Sequence, residues 1–217
     1  MALEDYGIQL KDLPSPRSAA FEQFLAKWFI AKTEGYRGEW DLSYVKEFAP
    51  GELDLARQLL RRNLDKSQTR FVEGVALLGD VSAVPVLQEM YDKESDESRR
   101  LTIAGSLWQL AKDERFYESI RRMVEGGNAT LKQAHFHDIE LLGDGRAIEA
   151  IFDLLEDRDS FVRFLALNAL NRLEHGRAFW VPAPQLPSQR EHYLAQRGNL
   201  EFRQRLTKRL RSQVGCR

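Results

Sequence analysis

His135, His137 and Asp138 are the one group of residues whose types and spacing suggest chemistry. On a helix, His135 and Asp138 are three residues apart and share one face, where they can form a hydrogen bond. A buried polar pair must be satisfied in this way. A metal site would need a third ligand in fixed geometry, and the sequence signals none. We therefore expect a hydrogen-bonded polar pair in the core, with no metal.

The sequence lacks the motifs of the common enzyme classes. It contains no glycine-rich phosphate loop, no nucleophile elbow and no HExxH, and the GDGR at residues 143–146 is explained by a turn between helices. Cys216 is the only cysteine, so neither an intrachain disulfide nor a thiolate zinc cluster is expected. The sequence predicts a protein without enzymatic activity and without a cofactor.

Composition narrows the class of partner. The formal net charge of -1 over 217 residues differs from the positive excess usual in proteins that hold duplex nucleic acid by its backbone. The N-terminus has no apolar signal region, and no run reaches the roughly 18 apolar residues of a membrane span. We expect a soluble cytoplasmic protein that binds another protein.

The elements that position these residues are clearest between residues 144 and 176. Gly143 and Asp144 end one helix and start the next, residues 147–155 carry apolar side chains at helical spacing, and residues 158–160 form a polar break. A second helix is predicted over 161–173. Two helices of about three turns each cannot bury their apolar faces alone, so the unit requires stacked neighbours.

Such neighbours occur earlier in the chain. Leu78 to Asp80 match Leu142 to Asp144 sixty-four residues later, which is two repeats of thirty-two. The second helices share this register, with one residue lost before the last of the four sets: Phe71, Val72, Val75 and Leu78; Ile103, Ala104, Leu107 and Leu110; His135, Phe136, Ile139 and Leu142; Ala166, Leu167, Leu170 and Leu173. His135 and Asp138 therefore stand where the neighbouring repeats bury apolar or small residues.

Two segments carry a family resemblance. They are LLGDVSAVPVLQEMYDKESDESRRLTIAGSLWQL and LLGDGRAIEAIFDLLEDRDSFVRFLALNALNRL, and they resemble HEAT repeats of the short type first noted in phycobilisome lyases. The resemblance covers roughly residues 50–176. It implies an all-α fold, a right-handed α/α superhelix (α-solenoid) of about four to five helical hairpins. Residues 1–49 would form an N-terminal arm and capping helices, and residues 177–217 a proline-rich loop and C-terminal capping helices.

The flanking segments suggest caps and accessory contacts. Residues 1–17 are predicted to be an extended arm, and residues 19–32 a helix whose aromatic stripe closes the stack or, alternatively, forms a partner groove. Tyr36 and Trp40 lie in a loop that can display them to a partner. The last predicted helix carries basic residues that suit a solvated capping face or an acidic ligand: Arg203, Arg205, Lys208, Arg209 and Arg211.

In a HEAT-like stack the second helices line the concave surface. Along each second helix, the residues predicted to face away from the core form a stripe that we expect to bind a partner. Trp108 and Phe164 are the aromatic anchors of this stripe among its polar groups. We call this set the concave stripe: Glu73, Leu101, Trp108, His137, Glu140, Phe164, Asn168 and Asn171. The interpretation is a non-enzymatic protein-binding module. The narrower hypothesis is a specific inhibitor or antitoxin, immunity-like, or an adaptor, because some small bacterial HEAT-repeat proteins act in this way.

Two alternatives stay open. Similarity to the HEAT-like alkyl-purine DNA glycosylases, which hold DNA in a basic concave face, would make the chain a nucleic-acid-binding solenoid. The basic last helix favours this interpretation, whereas the concave stripe contains Glu73 and Glu140 and no lysine or arginine. A chromophore lyase is the third interpretation, although no particular residue supports it.

Overall fold

All regular secondary structure that the computed structural model describes is helical. The structure describes residues 3–30, 43–65, 68–175 and 186–214. These divide into two compact units, residues 1–94 with 109–111, and residues 95–108 with 112–217. Within the described ranges, no helix is both long enough and apolar enough to span a membrane. The predicted all-α class is therefore confirmed.

Among the described residues, the first unit contains four short 3-10 helices and four α-helices before residue 94. Short 3-10 helices cover Leu3–Tyr6, Leu10–Asp12, Ser43–Glu47 and Val81–Ala83. The α-helices are α1 (Ala19–Leu25, continuing as a π-helix over Ala26–Ile30), α2 (Glu52–Arg61), α3 (Thr69–Leu77) and α4 (Val84–Lys93). Helix α2 packs against α1 and α3.

The N-terminal segment is folded, so the predicted extended arm is wrong. The segment buries Leu3 and Tyr6 of its first 3-10 helix, and Ile8, which lies between the two 3-10 helices. The Tyr6 ring meets Phe29 and Phe71 edge-on, with ring centroids 5.4 and 5.5 Å away. Apolar side chains at this spacing are stabilised by burial even though the local sequence has no helical period.

The aromatic stripe of the first helix belongs to the core. Phe21, Phe24, Trp28 and Phe29 are fully buried, so they are not available as a partner groove. Ser18 caps α1 by accepting from the Phe21 N–H, and its own hydroxyl donates to Glu52 at 2.5 Å. Burial raises the pKa of Glu52, but hydrogen bonds from the Ser18 side chain, the Ser18 backbone and Ala49 outweigh it and lower the pKa below its ordinary value. This carboxylate joins α2 to the start of α1.

Gly74 on α3 is the tightest point of this core. A Cβ atom there would lie 2.7 Å from Cζ3 of Trp28 and 2.9 Å from Cδ1 of Leu60. Because Trp28 is fully buried and cannot swing away, we expect Gly74→Ala to lower the free energy of unfolding by about 1–3 kcal/mol. Urea denaturation followed by circular dichroism measures this. Gly126→Ala is the matched control, since a Cβ at Gly126 meets nothing within 4 Å, and a Gly74→Ala variant as stable as this control would contradict the expectation.

The second unit is formed by eight helices among the described residues. They are α5 (Glu97–Ala111, whose last residues, 109–111, group with the first unit), α6 (Glu114–Gly126), α7 (Ala129–Ala134), α8 (Phe136–Glu140), α9 (Gly145–Leu154), α10 (Ser160–His175), α11 (Leu186–Gln196) and α12 (Leu200–Val214). Helix α10 packs against α7, α9, α11 and α12, and α9 also contacts α6, α8 and α12. Helices α9 and α10 thus form the centre of this unit.

Polar side chains at the helix starts fix the boundaries. Asp96, Asn128 and Asp144 each accept a backbone N–H from the first turn of the helix that follows. Lys132, four residues after Asn128, donates to Asp157 Oδ2 at 2.5 Å. Burial raises the pKa of Asp157, but Lys132 and the other partners lower it below the ordinary value. This ion pair joins α7 to the segment just before α10.

Candidate functional site

The helix predicted around His135 is interrupted at that residue. His135 has φ −109° and ψ 12°, and it both ends α7 and precedes α8. Its N–H donates to the Leu131 carbonyl at 3.0 Å, and its own carbonyl accepts from the Asp138 N–H at 3.0 Å. Both helices keep their hydrogen bonds on either side of the break, so His135 and Asp138 remain one turn apart.

The predicted His135–Asp138 pair is confirmed. Nδ1 of His135 lies 2.6 Å from Oδ2 of Asp138. The imidazole is fully buried and Asp138 is 7% exposed. A carboxylate accepts hydrogen bonds, so in the neutral imidazole this contact places the proton on Nδ1 and makes Nε2 an acceptor.

Ser98 completes the group on the other side of the ring. Its Oγ lies 2.7 Å from Nε2 of His135, and because Nε2 is the acceptor, the Ser98 hydroxyl is the donor. Ser98 is in the first turn of α5 and is exposed. The serine, the imidazole and the carboxylate thus form a continuous hydrogen-bonded chain from the surface into the core.

Sequence reasoning missed Ser98 because it precedes His135 by thirty-seven residues and has the appearance of a helix-start residue. The contact joins the first turn of α5 to the junction of α7 and α8. Only a comparison of polar residues across neighbouring sets of the predicted register would have linked the two positions.

Two members of the concave stripe, Leu101 and Trp108, are not accessible, which corrects the predicted exposure. Leu101 is 2% and Trp108 5% exposed. The Trp108 ring lies 6.0 Å from the Phe116 ring, and the Arg146 guanidinium lies 5.1 Å from it on another helix. Residues of α6 and α9 therefore cover the anchor that was expected to meet a partner.

Glu140 and Asn171 are also buried, against the prediction, because each has partners inside the unit. Glu140 forms an ion pair with Arg172 and lies 3.3 Å from Nδ1 of His137. Asn171 Oδ1 accepts from the Tyr193 hydroxyl of α11 at 3.0 Å. Helix α11 covers this end of the predicted stripe.

The rest of the concave stripe stays partly exposed. Glu73 lies in the first unit, and His137, Phe164 and Asn168 lie in the second. Phe161 is not a member of the concave stripe, but it is 50% exposed. Its ring stacks on that of Phe164, with the ring centroids 5.9 Å apart. We call the accessible group of the second unit the aromatic patch, and it comprises Gln133, His137, Phe161, Phe164 and Asn168.

The aromatic patch lies between two links that join α7 and α8 to α10. Gln133 donates to Asp159 at 3.3 Å just before α10, and Glu140 pairs with Arg172 near its end. In sequence, residue 137 falls between the α7–α8 ends of these links, and residues 164 and 168 fall between the ends near and on α10. The links therefore hold α7 and α8 against the helix that carries Phe161, Phe164 and Asn168.

Known proteins supply no relative. The chain matches no family model, no curated protein and no solved structure. The HEAT resemblance consequently stays a prediction, and function has to be argued from this geometry.

The remaining predicted residues divide into two groups. Tyr36, Trp40 and Cys216 lie outside the described residues. In α12, Arg203 pairs with Glu149, Arg205 lies 4.0 Å from Glu174, and the other two arginines donate to backbone carbonyls, Arg209 to Leu173 and Arg211 to Gly143. These contacts dock α12 on its neighbours, as a capping helix requires.

The same helix borders a basic groove. The groove has a volume of about 460 Å³ and is lined by Gly145, Leu200, Arg203, Gln204, Thr207, Lys208 and Arg211. No acidic side chain of the described residues is among its lining residues. Lys208 is exposed, so it is the cation of this groove best placed to meet an anionic ligand.

Proposed function

We propose that this protein is a HEAT-like α-solenoid that binds a partner protein through the aromatic patch. The observation that carries the proposal is the stacked pair of Phe161 and Phe164, with Phe161 half exposed on a well-packed helix. Exposed aromatic side chains on a rigid element contribute much of the binding free energy at protein interfaces. The polar groups around the pair, His137 and Asn168 among them, suit the rim of such an interface.

The helices behind the aromatic patch favour a rigid binding surface. Val162, Ala166 and Leu170 on the opposite side of α10 are fully buried. A surface held by a packed core loses little conformational entropy on binding, so more of the contact energy appears as affinity. Because its helix is held by a packed core, Phe161 differs from a phenylalanine that is exposed by chance on a mobile loop.

Affinity purification from native lysate tests the proposal with a Phe161→Glu and Asn168→Arg double variant. Both residues are accessible, so the variant should keep the wild-type melting temperature. We expect a stoichiometric protein partner to be retained by the wild type and lost by the variant, with affinity reduced about thirtyfold or more, the equivalent of at least ~2 kcal/mol. Isothermal titration with the identified partner measures that loss.

Val81→Glu is the matched control, because Val81 is 63% exposed and lies in the other unit. It places a glutamate at an exposed apolar position, as Phe161→Glu does, without touching the aromatic patch. A partner that is lost equally in both variants, or retained in the double variant, would contradict the assignment to this surface.

The narrower part of the proposal is an inhibitor, antitoxin-like or adaptor role. This role rests on the resemblance to small bacterial HEAT-repeat proteins and on the aromatic patch as the surface proposed to bind the partner. Co-expression with the products of neighbouring genes tests it. Failure to form a stable complex with any of them would remove the inhibitor and antitoxin hypothesis and leave the general binding role.

Nucleic-acid binding is the second candidate, and the basic groove beside α12 is the observation that favours it. Phosphate contacts release counterions, so such binding must weaken steeply as salt rises. We would expect a Lys208→Glu variant to lose binding to a fluorescent single-stranded oligonucleotide at low salt. Because most arginines of α12 already have partners inside the unit, protein binding remains the preferred function.

A further inference from the structure

We propose that Ser98 is a nucleophile activated by His135 and Asp138, and that it accepts acyl groups from carboxylic esters. The group was described above as a chain of two hydrogen bonds, 2.7 Å from Ser98 Oγ to Nε2 and 2.6 Å from Nδ1 to Asp138 Oδ2. These are the contacts by which a serine, a histidine and an aspartate act together in acyl transfer, and such groups are recognised by geometry and not by sequence order. This inference goes beyond the proposed binding function and does not depend on it.

Each residue has a role that its surroundings support. Asp138 fixes the tautomer of His135 and stabilises the imidazolium that forms when the ring takes a proton. The ring is fully buried, and its Nε2 lies 2.7 Å from the Ser98 hydroxyl oxygen. Nε2 can therefore act as the general base for that hydroxyl.

Ser98 is accessible to a substrate, unlike its two partners. It is exposed, whereas the imidazole is fully buried, so an ester can reach Oγ without any rearrangement of the core. Ser98 also lies in the first turn of a fifteen-residue helix, where backbone N–H groups lack intrahelical acceptors and the helix dipole favours negative charge. The Asp96 side chain accepts one of these N–H groups, that of Arg99, and the amide of Ser98 itself is placed to stabilise a developing oxyanion.

The proposed step is a simple acyl transfer. Ser98 Oγ attacks the ester carbonyl carbon and its proton passes to His135 Nε2. The bond from the carbonyl carbon to the alcohol oxygen then breaks, and the alcohol leaves with the proton from Nε2. Water, activated by the same nitrogen, releases the acid and regenerates the serine hydroxyl. The balance is an ester and water converted to an acid and an alcohol.

Labelling with an alkyl fluorophosphonate tests the nucleophile directly. Attack by Ser98 would form an oxygen–phosphorus bond and release fluoride, with the proton taken by His135. We expect one equivalent of label, located at Ser98 by peptide mass spectrometry, and no label in Ser98→Ala. Asp138→Asn leaves the shape of the site intact but should favour the wrong tautomer, and we expect labelling slowed by about a hundredfold or more.

Ser212→Ala is the matched control. Ser212 is exposed on α12, and its hydroxyl donates to the Arg209 carbonyl of its own helix at 2.7 Å. Its replacement should leave the labelling rate unchanged. Label that appears at Ser212 as readily as at Ser98, or labelling of Ser98 at the wild-type rate in an Asp138→Asn variant with native circular dichroism, would overturn the proposal.

Wild-type protein alone supplies a second measurement that does not depend on any variant folding. The native protein should label at Ser98 at least tenfold faster than the same protein in urea, because only the folded state holds the imidazole against the hydroxyl. Equal rates would overturn the proposal. A burst of nitrophenolate from p-nitrophenyl acetate, stoichiometric with protein and absent from Ser98→Ala, would extend the support from labelling to ester chemistry.

Discussion

Trp108→Glu should unfold the second unit. Trp108 is 5% exposed and packs on Phe116 and Arg146. Truncating a buried tryptophan costs about 3–5 kcal/mol, and placing a carboxylate in the space adds the cost of burying a charge. We therefore expect the free energy of unfolding to fall by more than about 4 kcal/mol, which exceeds half of the stability of many domains. Thermal and urea melts by circular dichroism measure the loss.

Two variants separate burial from the mere introduction of a charge. Phe161→Glu makes a similar change at a half-exposed position and should cost little. Trp108→Phe keeps an aromatic ring, and since the indole Nε1 is buried without a hydrogen-bond partner among the described residues, it gives up no hydrogen bond. A Trp108→Glu protein that melts like Phe161→Glu would show that Trp108 is accessible after all, as the sequence analysis expected.

The face of α5 could not be predicted from its sequence. Residues 101–108 are apolar, small or weakly polar without a break, and every one of them is buried. A helix with no polar face has no periodicity from which to choose the side that faces solvent. Helix α6 provides the contrast, because its alternation of charged and apolar residues correctly identifies Phe116, Ile120 and Met123 as core.

The positions of the helices were easier to predict than their surfaces. Helix starts depend on local capping chemistry, and Asp144 caps α9 where the sequence places it. Whether Glu140 and Asn171 are exposed depends instead on Arg172 and Tyr193, which belong to later helices. The contact between Ser98 and His135 is likewise tertiary, so Ser98 was not predicted. The contact between His135 and Asp138 is local, and it was predicted.

Replacing His135 and Asp138 together should destabilise the protein much less than replacing His135 alone. Removing one of two buried, hydrogen-bonded partners takes a hydrogen bond from the other, so we expect His135→Ile to cost about 3–5 kcal/mol. Asp138→Ser should also be destabilising. The two together recreate Ile103 and Ser106, the residues thirty-two positions earlier in the predicted register, and we expect a loss of only about 1 kcal/mol because both members of the pair are replaced. Urea melts of the four proteins give the coupling energy.

The outcome of this cycle bears on why the chain contains a buried histidine at all. Losses that simply add would mean that each side chain is stabilised independently of the other, contrary to the 2.6 Å contact. A double variant as stable as the wild type would mean that the fold does not require the pair, since the Ile103 and Ser106 of the preceding repeat serve the same packing. The reason to keep a costly polar pair would then lie in what it does for Ser98, and the double variant should fold normally while failing to react with the fluorophosphonate.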